Sequence, residues 1–364
     1  MPITTPLLPL LFVAANSIRP ETAAAIQYRQ PQLASGHGMV AMTFGGGPSI
    51  YFTSSTDQGK TFGPPVKVAE TGALALGRHR GPRVVILKDA LLISAIHGDK
   101  VATGPHAHGL PEAGNLSVWR STDQGKSWNK TSVINDVPGA AREGLHAIAA
   151  LPDGKGVFAV WLDLRDKGTR LYGSKSTDGG RTWSKNVQVY ESPDGTICQC
   201  CHPSLAVDAR GTMRVMWRNV MDGSRDMHIA SSTDGGLHFT QASKLGEGTW
   251  KINACPMDGG GFVADVDGNL TSAWRRENQI FVTEPGKAER TLGPGKDVTL
   301  VRNARGLFVA WTRETSIVAQ GPSDKEPKIL GADGGFVHLL ALEDGRKVLA
   351  AWESKGAIET VVIE

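Results

Sequence analysis

The sequence predicts an all-β fold, closed as a β-propeller of seven blades, on three observations. One octamer recurs four times. A short strand ending in an aromatic residue recurs five times, each behind a glycine turn. Glycine is abundant, at 44 of 364 residues, alongside 20 prolines. Short strands joined by many tight turns use these two residues in this way, and self-similarity at regular spacing marks one supersecondary unit used repeatedly.

The octamers are STDQGKTF (Ser55 to Phe62), STDQGKSW (Ser121 to Trp128), STDGGRTW (Ser176 to Trp183) and STDGGLHF (Ser232 to Phe239). Their chemistry suits a tight turn between two strands. Ser and Asp side chains can accept from nearby backbone N–H groups, and Gly59, Gly125, Gly180 and Gly236 supply a position with φ > 0. Asp57, Asp123, Asp178 and Asp234 are therefore read as structural.

The second repeat extends further. VWLDLRD, VMWRN, SAWRRE, VAWTRE and AAWE follow the turns PDGKG, DARG, DVDG, NARG and LEDG, and another apolar strand precedes each turn. Two earlier units, through QPQLASGHGMVAMTF and PRVVILKDALLISAI, fit the same plan. The units begin near Pro31, Arg80, Gly144, Cys201, Cys255, Asp297 and Gly335, and together they predict a single propeller domain over 1–364. Units of several short antiparallel strands read as blades. The last unit lacks an outer strand after AIETVVIE. The apolar N-terminal segment, about residues 6–16, is expected either to supply that strand, removing an exposed sheet edge, or to be a residual signal segment.

A charged fraction of 21% and a hydrophobic fraction of 40% are those of a soluble globular chain. The net charge of +3 is too small to argue for nucleic acid, and no apolar run reaches membrane-span length. A monomer is expected, by fold analogy.

The octamers resemble the Asp-box (BNR) repeats of the sialidase (neuraminidase) superfamily, and YRQPQLA (Tyr28 to Ala34) resembles that family's Y/F-R-I-P motif, with Gln30 in place of Ile. Sialidases are usually six-bladed, so six is the alternative count. The resemblance implies an arginine triad gripping a carboxylate, a Tyr–Glu nucleophilic pair and an Asp acid/base. It places Arg29 as the first triad arginine. The chain departs from the pattern in two places: the span from Gly36 to Ser55 holds no Asp or Glu, and no Tyr follows Tyr190.

In a propeller, residues just before inner strands and just after second strands share one face, opposite the octamer turns. Here that face collects Arg80, Arg83, Arg142, His146, Arg165, Arg218, Arg225, Arg275 and Arg276, which with Arg29 form the candidate substrate-binding set. Guanidinium binds a carboxylate or sulfate through two parallel hydrogen bonds, so an anionic glycan is the expected partner; the competing reading is Arg–carboxylate pairing between blades. Glu143, Asp163, Asp226 and Glu277 are the candidate catalytic carboxylates, since two opposed carboxyls can hydrolyse a glycosidic bond. Asp258 and His79 are further proton carriers. The leading function is a glycoside hydrolase acting on an acidic (sialic or uronic acid) sugar in an extracytoplasmic, periplasmic or secreted, setting. The alternatives are a non-catalytic glycan-binding propeller and a copper-binding or redox propeller.

Three of the four cysteines, Cys198, Cys200 and Cys201, lie in GTICQCCHPS, and the fourth, Cys255, lies in NACPMD at the start of the next blade. In an extended chain Cys198 and Cys200 point one way and Cys201 the other. The leading reading is a disulfide staple from Cys200 or Cys201 to Cys255. A copper or zinc site drawing on Cys198, Cys200, Cys201, His202, Cys255 and Met257 is the second, and a reactive thiol the third. No other cofactor is expected.

Overall fold

In a computed structural model, which describes residues 13–20, 26–104, 107, 109–265 and 267–364, the strands assemble into seven sheets in a ring, with no helix among the described residues. We number the blades I to VII by inner strand. These begin at Tyr28, Arg83, His146, Ser204, Gly261, Lys296 and Gly334, each close to the unit boundary read from the repeats. Six blades are four-stranded antiparallel sheets, and five of these run in chain order from centre to rim. Seven interblade cores, one at each seam, hold the ring together.

The aromatic of each second strand explains those seams. Trp161, Trp217, Trp274, Trp311 and Trp352 are all buried and pack between neighbouring sheets. Removing such a side chain costs about 3–5 kcal/mol.

Blade VII is completed by a strand from the other end of the chain. Residues Val13–Ile18 pair antiparallel with Ala357–Ile363, so the N-terminal strand completes a sheet otherwise made by the C-terminal end of the chain. The expected strand also covered residues 6–12, which lie outside the described residues.

Blade II differs from the others. Its inner strand is interrupted: Ala73–Leu74 pairs with the far end of Leu91–Gly98, and Arg83–Ile86 pairs with its beginning. The chain between them loops out at the face where inner strands start. Gly77, Arg78, His79 and Gly81 all have positive φ, and such a run of left-handed backbone marks a segment held in place by its surroundings.

The octamers form the predicted turns, on the face opposite that loop. In the first, Ser55 Oγ accepts from Gly59 N at 2.8 Å and donates to Asp57 Oδ1 at 2.7 Å. Asp57 accepts from Thr61 N at 2.9 Å and Thr61 Oγ1 at 2.6 Å. The set repeats at Asp123 and Asp178, and at Asp234 with His238 Nδ1 in the hydroxyl's place. With these donors in place, led by the Thr61 hydroxyl, the Asp57 carboxyl is held down at about 2. The turns also wedge the ring. A Cβ on Gly59 would press Leu349, one on Gly125 Phe52, one on Gly180 Leu92 and one on Gly236 Phe158, each in the preceding blade.

Candidate functional site

The opposite face carries a cavity of about 700 Å3 between blades II, III, IV and V. Arg78, Arg80, Arg142 and Glu143 line one side, and Gln199, Cys200, Cys255 and Met257 the other. Arg80 is buried against Glu143, with its Nε donating to the Glu143 carbonyl at 2.6 Å and its Nη2 3.9 Å from Glu143 Oε2. Burial pulls the Arg80 pKa down and the Glu143 charge opposes that pull. Arg80 can pass here because Gly144 has no side chain: a Cβ there would lie 3.0 Å from Arg80 Cδ. Arg78 and Arg142 are exposed on the rim. Of the residues expected from sequence, the fold thus brings Arg80, Arg142, Glu143, Cys200, Cys255 and Met257 to one cavity. Arg78 was missed, although the glycines flanking it in GRHRG signal a protruding loop.

The remaining candidates, Glu277 apart, lie in tight local partnerships. Asp163 is buried, with both oxygens engaged: Trp161 Nε1 and Arg165 Nη2 donate to Oδ2, and Arg165 N and Nε to Oδ1, all at 2.8–2.9 Å. Arg165 also meets Asp136 and lies over the Tyr172 ring at 3.9 Å. Asp226 accepts from Trp250 N at 2.8 Å and faces Lys244 at 3.3 Å. Glu277 sits in an exposed hairpin turn at φ 58°. Arg29 pairs with Glu353 at 3.1 Å across the seam between blades I and VII, and Arg276 pairs with Glu289. Arg275 donates to the Glu277 carbonyl at 2.6 Å. Arg218 is buried and ties three carbonyls together, those of Asp258, Arg225 and Arg275, at 2.7–3.1 Å.

Inside the rim, the blade II loop plugs the throat of the central channel. His79 Nε2 lies 2.8 Å from Asp297 Oδ1 of blade VI. Its ring packs 4.2 Å from that of His202 in blade IV and 5.0 Å from that of Phe336 in blade VII. Asp297 N donates to Asp258 Oδ2 at 2.7 Å, while Asp258 Oδ1 and Asp297 Oδ2 are buried without a hydrogen-bond partner. Burial and the neighbouring Asp297 charge raise the Asp258 pKa. Deeper in the channel, Arg83 is held by the carbonyls of Gly81 and Pro82 at 3.1 Å. His146 there meets Ser94 Oγ at 2.9 Å, and His338 lines the same space.

The cysteines depart from the expected staple. All four are free thiols, and Cys255 is exposed. The extended-chain argument fails because residues 198–201 form a turn, which folds three sulfurs onto one another. Cys198 Sγ lies 3.3 Å from Cys201 Sγ and 3.6 Å from Cys200 Sγ, and the third side of the triangle is 4.0 Å. His202, expected among the ligands, has both ring nitrogens occupied, Nε2 by the Gly260 carbonyl at 3.1 Å and Nδ1 by Gly259 N at 3.3 Å.

No family model matches the chain, and no curated protein matches it. Solved structures do. The fold is similar to that of a Dyadobacter fermentans protein of unknown function, 16% identical, with 97% of this chain and 99% of that one covered and a TM-score of 0.56. It is also similar to a polysaccharide lyase, an ulvan lyase, at 11% identity, 95% and 96% coverage and a TM-score of 0.56. An α-L-arabinofuranosidase of Fusarium graminearum is similar at 14% identity, 97% and 98% coverage and a TM-score of 0.57. At these identities the likeness is one of fold.

Proposed function

We propose that the protein is an extracytoplasmic glycan-active propeller of sialidase-like type, whose mouth cavity takes an acidic sugar. The observation that carries this reading is the convergence of Arg78, Arg80 and Arg142 beside Glu143 in one cavity of about 700 Å3, a size that fits a sugar-sized ligand. Guanidinium groups engage a carboxylate or sulfate in paired, charge-assisted hydrogen bonds. Two proteins of similar fold are named as a polysaccharide lyase and an arabinofuranosidase, which supports a sugar as the class of ligand. Among the described lining residues Glu143 is the one carboxylate. It is the proton-transfer group of this reading, with the arginines fixing the substrate's anionic group.

The test is a panel of sialosides, uronic-acid oligosaccharides and sulfated glycans, followed by calorimetry for binding and by product analysis for turnover. One acidic class is expected to bind, and Arg142→Ala to weaken it by about 10–100-fold, the loss of one charge-assisted contact. Glu143→Gln is expected to spare binding and abolish turnover. Binding that survives with no turnover in the unaltered protein would leave a lectin-like propeller. Absence of binding across the panel would overturn the reading.

A further inference from the structure

We infer that Cys198, Cys200 and Cys201 form a three-coordinate thiolate site for Cu(I) on the wall of the mouth cavity. The argument is independent of the glycan reading. It begins with geometry. The three sulfurs are 3.3, 3.6 and 4.0 Å apart, so one point in their plane lies about 2.1 Å from each, against about 2.3 Å for a metal–thiolate bond. A small outward movement of the side chains seats an ion among them. A free cysteine buried for packing reasons is surrounded by carbon; here each sulfur instead faces two others.

The ligand set selects the ion. Among the described residues, these three sulfurs form one cluster of potential metal ligands with no imidazole or carboxylate in it. The adjacent His202 is excluded because both its ring nitrogens are engaged. The apolar groups packed on the cluster are Val220 and the thioether-bearing Met257. Soft thiolate and thioether ligands select Cu(I), whereas structural zinc takes four ligands in a tetrahedron. Three thiolates with no fourth His, Cys or carboxylate ligand among the described residues favour the trigonal, monovalent ion.

The electrostatics fit as well. A monovalent ion with three thiolates carries two negative charges, and burying them requires cations nearby. Arg225 Nη1 lies 3.1 Å from Cys198 Sγ. Cys198 N also donates to the Arg218 carbonyl at 3.1 Å, and the Arg80 guanidinium lines the same cavity as Cys200. Thiolates rather than thiols ligate the ion, so binding releases the cluster's thiol protons. The ion has a way in, because Cys200 and Met257 line the open cavity.

The test titrates reduced protein with Cu(I) under anaerobic conditions against bicinchoninate, with Zn(II) as a separate arm. The expected result is one Cu(I) per chain, a sulfur-only shell near about 2.3 Å by X-ray absorption, and a fall in reactive thiols from four to one, that of Cys255. Cys198→Ser, Cys200→Ser and Cys201→Ser should each weaken Cu(I) by about 100-fold or more, beyond the 10–100-fold cost of losing an outer-shell partner. Cys255→Ser should leave it unchanged. Because the decisive measurement is on the unaltered protein, it stands even if a variant folds poorly. Loss of all Cu(I) to bicinchoninate, preferential binding of Zn(II) with Cys255 as a fourth ligand, or a disulfide within the cluster that re-forms and blocks Cu(I) would each overturn the proposal.

Discussion

At the scale of single residues, the face that gathers arginines divides into two populations. Arg78 and Arg142 reach out from the rim of the cavity, whereas Arg165, Arg218 and Arg276 spend their donors on carbonyls and carboxylates within the fold. The sequence shows where an arginine falls in a repeat, and so assigns it to a face. It does not show which carbonyls the neighbouring blade presents, and those decide whether the guanidinium remains available. Asp163 makes the distinction measurable. It lies on the charged face, yet four donors saturate it and its side chain is fully buried. Removing one partner of a buried ion pair leaves the other charge uncompensated, at a cost of about 3–5 kcal/mol. Asp163→Ala is therefore expected to lower the unfolding free energy by that much, read from urea titration, with glycan and Cu(I) affinities of the remaining folded protein unchanged. A variant as stable as the parent, but altered in turnover, would return Asp163 to the catalytic set.

At the scale of elements, the octamer turns were the most legible part of the chain, because everything they need is local. Serine, aspartate and glycine satisfy one another within eight residues, and the hydrogen bonds repeat at all four sites. Their second role was not legible, because it depends on the blade before. The glycine of each turn lies flat against that blade's core, and for Gly125 an added Cβ would sit 2.1 Å from Phe52 Cε1 at a φ of 87°. Both the left-handed backbone and the overpacking disfavour a side chain. Gly125→Ala should cost about 3 kcal/mol on these grounds, read as a shift in thermal midpoint, while exposed Lys126→Ala in the same turn should stay within about 0.5 kcal/mol. Equal effects at the two positions would remove the wedge from the account. The same contrast explains one element that was misread and one whose detail was not foreseen. The blade II inner strand breaks and the cysteine segment turns because long-range partners, Asp297 and His202 for the loop and the Arg218 carbonyl for Cys198, fix irregular backbone. Alternation along an extended strand carries no information there.

At the scale of the whole molecule, the seven-fold ring was readable from spacing. What the ring encloses was not, since a channel is built from one or two residues of every blade. In this protein it encloses histidines around a fixed charge. Arg83, held by the Gly81 and Pro82 carbonyls, lowers the pKa of His146, His202 and His338 in concert with burial, which is the larger cause for each; His338 falls to about 4. For these groups the folded value lies below the unfolded one, near 6.5. Between those two values the unfolded chain binds protons that the folded ring does not, so stability is fully present above about pH 6.5 and declines as the pH falls toward 4. The slope is at most about 1.4 kcal/mol per pH unit for each histidine. The octamer carboxylates do not blur this window: with its folded value near 2, Asp57 loses its contribution only below the unfolded value near 3.8. The urea midpoint is therefore expected to fall between pH 7 and pH 5, and His338→Gln to make that fall shallower while leaving the region below pH 4 as it was. A midpoint that stays flat from pH 7 to pH 5 would mean that the channel admits protons to its histidines without opening the ring.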